Sequence, residues 1–321
     1  MADYKTLHGS NIETVSSDPS NPVNGQVWYI STSQTMKAFT LNPAGSWASG
    51  GNLNTARAAL GSAGTQTAAL GFGGHPPYVA IAESYNGSAW SEVGDLNTGR
   101  RLFGGAGTAT SALAIGGLSD PTTRVDIVES YNGTCWSEVA DLNTDRYQLA
   151  AVGVVTSALA FAGNQPPNTS SDLTESWNGT SWTETADLTT ARANVAGAGL
   201  SPSAIAFGGD ESPTAQNESW NGTSWSEVAD LNTGRKQLGG AGTSTAALGF
   251  GGDTGSVSAV NESWNGTAWA EVGDLSTARS KLGGAGTATS ALAFGGTTGS
   301  VSVATEEFTA PLEATVSFDS S

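Results

Sequence analysis

Cysteine is nearly absent: Cys135 stands alone in 321 residues, so no disulfide can form within the chain and the redox compartment stays open. Histidine is almost as scarce, with only His8 and His75. Charged residues make up 13% of the chain, and basic ones are in deficit, 12 against 29 acidic, for a formal charge of −17. Only four of the basic residues are Lys. A surface of that sign repels phosphate backbones and anionic lipid headgroups, so no nucleic-acid partner is expected. No stretch of 18 consecutive apolar residues occurs, and no membrane insertion is expected. The start, MADYKTLHGS, lacks the basic and apolar regions of a secretory signal. The expectation is a soluble protein that, if it works outside a cell, leaves by lysis or a non-classical route.

Glycine, by contrast, is abundant. The 43 glycines are about twice the usual share and follow no triplet period, which points to tight turns and closely packed backbones. Ten Trp, nine Phe and six Tyr supply large apolar side chains for a core, so the composition does not signal disorder. The length suits one or two domains, and an all-β fold can run this long as one.

The chain repeats itself. SAWSEVGDLNTGR at 88–100 recurs as TCWSEVADLNTDR, TSWTETADLTTAR, TSWSEVADLNTGR and TAWAEVGDLSTAR, with a degenerate first copy, GSWASGGNLNTAR, at 45–57. From Trp47, Trp90, Trp136, Trp182, Trp225 and Trp269 it is always ten residues to Arg57, Arg100, Arg146, Arg192, Arg235 or Arg279. From each Arg it is always 17 residues to the end of a glycine doublet, at Gly74, Gly117, Gly163, Gly209, Gly252 or Gly296; the third doublet reads Ala162-Gly163. All length variation falls in the next interval, before the aromatic Tyr85, Tyr131, Trp177, Trp220, Trp264 or Phe308. A Glu stands beside each of these aromatics.

Each unit reads as four short strands, because β-prone runs are separated by turn chemistry. Asn-Gly at Asn86, Asn132, Asn178, Asn221 and Asn265 marks a hairpin between the third and fourth strands, since both residues tolerate positive φ. Four-stranded units at a period of 43–46 residues predict a β-propeller. Segments such as FGGAG at 103–107 are small enough to converge on an axis. The last unit has no Trp segment after Phe308, whereas the chain begins with an orphan one around Trp47. The expected fold is therefore all-β, a six-bladed propeller over 43–308, its last blade closed by an N-terminal strand that removes the open edge. Residues 1–42 are expected to form an arm with one hairpin, VWYIS and TMKAFT, for attachment or subunit contacts. The tail 309–321 is expected to pack outside or dock to a neighbour.

The glycine doublet closing strand two, the aromatic ending strand three and the Trp of strand four, as in AFGG, ESW and SWSEV between residues 206 and 228, resemble the kelch repeat, over about four-fifths of the chain. That resemblance implies a kelch-type propeller, a scaffold used by adaptors, cytoskeletal binders and enzymes, so it does not name a function. The near-identity of the units and the lead-in SSDPSNPVNGQVWYISTSQTMKAF at 16–39 resemble kelch-like virion structural proteins of tailed bacteriophages, particularly marine ones.

Chemistry is sparse against the repeat background. A copper oxidase on this scaffold needs several His and Tyr ligands and a Cys beside one Tyr, more than His8, His75 and Cys135 provide. SWNGTSW at 176–182 resembles the sialidase box SxDxGxTW, but with Asn for Asp and Gly one place early it reads as a turn. The same hairpin turns explain the formal glycosylation sequons. Cys135 occupies a position held elsewhere by Ser or Ala and reads as a small packing residue. The Asp of each DLNT could ligate calcium, but no full ligand loop is spelled out, so no metal and no cofactor is assigned. The repeated Arg and Glu read as blade-joining ion pairs, and the Trp series as packing between blades.

In an antiparallel blade the two–three and four–one loops share one face. That face carries HPPYVA at 75–80, LSDPTTR at 118–124, NQPPNTSSD at 164–172, DESPTAQ at 210–216, DTGSVSA at 253–259 and TTGSVSV at 297–303. Candidate binding residues are His75, Tyr78, Asp120, Arg124, Gln165, Asp210, Glu211 and Asp253, since recognition concentrates on loops held by a rigid scaffold. The functional expectation is a non-enzymatic virion protein, on tail, fibre or capsid, for assembly or host-surface recognition. Its partners would be other virion proteins, through the arm, and a host glycan or protein; a homo-oligomer also fits. The alternative is a bacterial glycan-binding or matrix propeller.

Overall fold

The computed structural model of the protein describes residues 12–19, 26–41, 44–210, 212–310 and 313–318. Strands occur throughout and no helix occurs among them. The chain divides into two compact units, Ser46–Thr309 on one side and Met1–Gly45 with Ala310–Ser321 on the other.

The larger unit holds six four-stranded antiparallel sheets. The first runs Gly61–Thr65, Ala68–Phe72, Ala82–Tyr85 and Trp90–Glu92, in chain order from inside to outside. The next four repeat this order, with innermost strands Gly104–Thr108, Ala150–Val154, Ala196–Leu200 and Gly239–Thr243. In the last, Gly283–Thr287, Ser290–Phe294 and Thr305–Thr309 are completed by Ser46–Ser49 from the start of the unit, with Trp47 opposite Phe308. The expected closure holds. Each innermost strand lies against the next and the sixth lies against the first, so the sheets form a ring of blades around an axial cavity of about 240 Å³.

Small residues make that convergence feasible. The fourth residue of every inner strand is a Gly with φ between 110° and 119°, and a Cβ at Gly107 would sit 2.3 Å from the Ser111 carbonyl oxygen. No residue with a side chain fits there without moving the second strand. Just before the inner strands, a second device ties the blades together. The backbone N–H of Ala59 donates to the Lys281 carbonyl at 2.8 Å, Leu102 to Ala59 at 2.9 Å, and so on through Gln148, Asn194 and Gln237, until Lys281 donates to Gln237 at 2.8 Å. Six hydrogen bonds thus close a circle around the axis. All six residues are left-handed, with φ from 55° to 59°, and none is glycine.

Between blades the packing is aromatic. Strand four buries its Trp against the second strand of the preceding blade: Trp47 meets Phe250 at 5.1 Å between centroids, Trp90 meets Phe294 at 4.7 Å, and Trp136 meets Phe72 at 4.9 Å. Trp225 and Trp269 do the same with Phe161 and Phe207, while Trp182 shares its cluster with Ile115. The seam between last and first blade carries extra polar ties. Tyr85 donates to Glu307 Oε1 at 2.6 Å, and Gln66 Nε2 donates to the carbonyls of Ala291 and Phe308. The phenol is buried and bound to a carboxylate, which together push its pKa up to about 12.

The smaller unit holds more than the expected hairpin, and its tail, expected to pack outside or dock to a neighbour, pairs within it. The hairpin Val27–Ile30 with Thr35–Leu41 is present, but Glu13–Val15 pairs parallel to its first strand and Glu313–Phe318 antiparallel to its second. The tail is thus the fourth strand of a sheet. Alternation marks EATVSF as β-prone, but nothing local names a partner that lies at the other end of the chain. Asp18 accepts from the buried Trp28 indole at 3.0 Å and from Lys37 at 2.8 Å; the bonds from Lys37 and Trp28 hold its carboxyl below the usual range. His8, Asn21-Pro22 and Asn24-Gly25 lie outside the described residues.

Deleting residues 1–53 removes Ser46–Ser49 and with it the partner of Thr305–Thr309 and the Trp47 ring packed on Phe250. The loss of that ring alone should cost about 3–5 kcal/mol, and the bared edge should promote aggregation. Deleting 1–44 should spare the ring of blades. Thermal melting and size-exclusion chromatography check this; a 1–53 deletion that melts like the full chain would rule out N-terminal closure.

Candidate functional site

The repeat's polar residues form a frame that must be understood before any surface can be read as free. In the fifth blade, Glu262 is fully buried and its carboxylate accepts four hydrogen bonds: Asn232 N at 2.7 Å, Asn232 Nδ2 at 2.9 Å, Thr233 N at 3.2 Å and Arg235 Nη2 at 3.0 Å. Arg235 also donates to the Gly251 and Gly249 carbonyls of its own blade, at 3.0 and 3.1 Å. Its backbone N–H bonds to Thr214 and its carbonyl accepts from Gly209, both in the preceding blade. The Arg–Glu pair recurs in all six blades, at 2.8–3.1 Å, with every Arg fully buried, while Thr189 and Ser276 stand where the other units place the Asn donor. Burial pulls the guanidinium pKa down and the facing Glu restores part of it.

This corrects one expectation. The ion pair lies within a blade and does not cross between two; the crossing is made by the main chain of the Arg and by the residue directly after the Leu of DLNT, Asn in four of the six units. The reason is that Arg and Glu belong to the same four-stranded unit, which begins at the Arg. DLNT acquires a role for each residue. Asp230 Oδ1 caps the Asn217 N–H of its own blade at 3.2 Å, Leu231 is buried between blades, and Asn232 and Thr233 reach the next Glu. These carboxylates are occupied by backbone donors. Cys135 is also corrected: it is exposed in its turn, with Sγ 3.8 Å from Asn132 Oδ1, because the residue before each strand-four Trp points outward.

The two–three loops lie against the segments entering strand one, through the bridges Ala58 to His75, Arg101 to Leu118, Tyr147 to Asn164, Lys236 to Asp253 and Ser280 to Thr297. The eight candidates separate on this face. Asp120 accepts from the N–H groups of Thr122 and Thr123, each at 2.8 Å, and Thr123 and Thr122 together hold its pKa near 2. Asp253 closes its own loop onto Gly255 N at 2.7 Å, and Asp210 accepts from Ser170 at 2.8 Å. Gln165 sits in a two-residue ladder of its loop and accepts from Ser171 at 3.4 Å. Glu211 lies outside the described residues. These side chains shape loops.

His75, Tyr78 and Arg124 belong instead to a cluster with residues that the loop comparison does not single out. Arg101 lies over the Tyr78 ring, 4.8 Å from its centroid, with His75 edge-on to the same ring at 5.7 Å. Arg124 lies 5.5 Å over Tyr147 and donates to Asn168 Oδ1. A recess of about 180 Å³ opens there, lined by Leu118, Pro121, Thr122, Arg124, Tyr147 and Asn168. The imidazole's pKa is lowered by burial first, then by the charges of Arg101 and Lys281. Arg101, Tyr147 and Lys281 are missed by length comparison because they stand one or two places after the repeat Arg, where spacing never changes. The signal is composition: that dipeptide reads AA, RL, YQ, AN, KQ and SK between the repeat Arg and an apolar residue.

The ring of four-stranded blades closed by an N-terminal strand defines the protein as a β-propeller. Among solved structures it is similar to YjhT, described as "Structure of YjhT", with a TM-score of 0.68 and 12% identity over 82% of this chain and 99% of that one. No protein-family description matches the sequence, and no curated protein matches it. The likeness extends to the fold.

Removing one member of a buried pair leaves the other charge uncompensated. Arg192→Met strands Glu218 and should lower stability by about 3–5 kcal/mol in chemical denaturation. A loss below about 1 kcal/mol would mean that water reaches the carboxylate.

Proposed function

We propose that the protein is a non-enzymatic kelch-like binding protein of a bacteriophage virion, borne on tail, fibre or capsid, whose loop face contacts the host surface. One observation carries the reading. The frame consumes all six repeat Arg and Glu side chains, while the loop face presents the cluster of His75, Tyr78, Arg101, Arg124 and Tyr147. The opposite face carries short turns in which Asn132 and its equivalents bind their own backbone, as in Asn132 Oδ1 with the N–H groups of Thr134 and Cys135 at 2.9 and 3.0 Å. The smaller unit serves for attachment to other virion proteins. The phage setting rests on the resemblance of residues 16–39 and of the near-identical units to virion proteins of that kind.

Two variants separate the faces. Tyr78→Ala with Arg124→Ala should abolish adsorption of the purified protein to host cells, and replacing Asn132-Gly133 and Asn178-Gly179 by other two-residue turns should not, both remaining folded by circular dichroism. Unchanged adsorption in the first, or loss confined to the second, would move the functional surface elsewhere. Mass spectrometry of purified particles tests the setting, and absence of the protein would favour the bacterial alternative.

A further inference from the structure

The arginines of the propeller fall into two groups. Six Arg end on buried Glu carboxylates. Arg101 and Arg124 end on no carboxylate among the described residues: each guanidinium lies over a tyrosine ring, and Arg124 donates to Asn168 Oδ1. In a chain with 29 acidic residues this is a deliberate vacancy of charge, since the nearby Asp120 turns its carboxylate onto the N–H groups of its own loop. Lys281 adds a third cation close by, its carbonyl accepting from the N–H of Ala59 at 2.8 Å next to the Ala58–His75 bridge.

We propose that this sector, from Lys281 past Arg101 to Arg124, binds an acidic polysaccharide, its carboxylates on the guanidinium groups and one sugar ring in the recess beside Tyr147. This rests on the recognition reading above and names its ligand class. The recess, about 180 Å³, has the size and composition for a pyranose: Tyr147 and Pro121 offer apolar surface to the C–H face, Asn168 and Thr122 meet hydroxyls, and Arg124 meets the carboxylate. An acidic peptide fits less well, because the backbone groups of Arg101, Leu118 and Arg124 are already bridged to one another, leaving no free edge to extend.

The test uses the full chain and immobilised polygalacturonate, with dextran, polyglutamate and single-stranded DNA as comparisons. Polygalacturonate should be retained and the other three should not. Arg101→Gln with Arg124→Gln should weaken retention by about tenfold or more at an unchanged melting temperature, and the Lys pair should restore only part, since an ammonium lacks the planar fork. Retention equal to dextran, or unaffected by the Gln pair, would overturn the proposal. Equal or stronger binding of polyglutamate or DNA would overturn the saccharide assignment. Host-cell adsorption by the same Gln variant keeps the two readings apart: lost adsorption without any polygalacturonate binding leaves the recognition face standing and removes this ligand.

Discussion

The buried Arg–Glu pair with its surrounding donors is the interaction on which the propeller depends. A lone ion pair in a protein interior gains little over apolar packing, because desolvation offsets attraction. In the fifth blade the carboxylate is saturated by two backbone N–H groups, a side-chain amide and a guanidinium, and the guanidinium in turn caps carbonyls at the end of strand two. The pair thereby fixes three things together: the start of strand one, the turn after strand two and the approach of the preceding blade. That is why the intervals from Trp to Arg and from Arg to the doublet never vary, while the stretch beyond the doublet is free to lengthen.

Much of this architecture was legible because a repeat constrains its own interpretation. Trp47 without a preceding unit, and Phe308 without a following Trp, already implied that one strand crosses from the beginning of the chain to its last blade. The glycine doublets announced a turn, although Ala162 adopts the same left-handed φ of 61° that its glycine equivalents do. Less was legible where partners are distant or where contact depends on loop conformation. The pairing of Glu313–Phe318 with Thr35–Leu41 joins the two ends of the chain, and no local pattern encodes it. Asp120 and Asp253 looked available for binding because they stand in polar loops, yet short polar side chains in turns bond first to their own backbone. Arg101 and Tyr147 were hidden by the regular spacing that made the repeat visible.

The division between frame and face also explains how such similar units can carry one specialised sector. Every side chain that recurs six times is spent on cohesion. Variation is left to positions whose identity the frame does not fix, namely the loop after strand two and the dipeptide after the repeat Arg. Arg124 over Tyr147 brings together a loop of the second blade and the entrance to the third, so a contact of this kind needs only two changes in neighbouring units.

The circle of hydrogen bonds from Ala59 through Lys281 has an electrostatic consequence. Peptide dipoles stacked head to tail along a helix leave a positive and a negative end, and ligands exploit the former. Bent into a closed loop, the same dipoles have neither end: every N–H is matched and every carbonyl is matched, and no terminal donor is left to attract an anion. The axial mouth is thus a main-chain rim without polarity of its own. Whatever sign of charge it favours is set by the side chains standing on it, and among those six residues only Lys281 carries one.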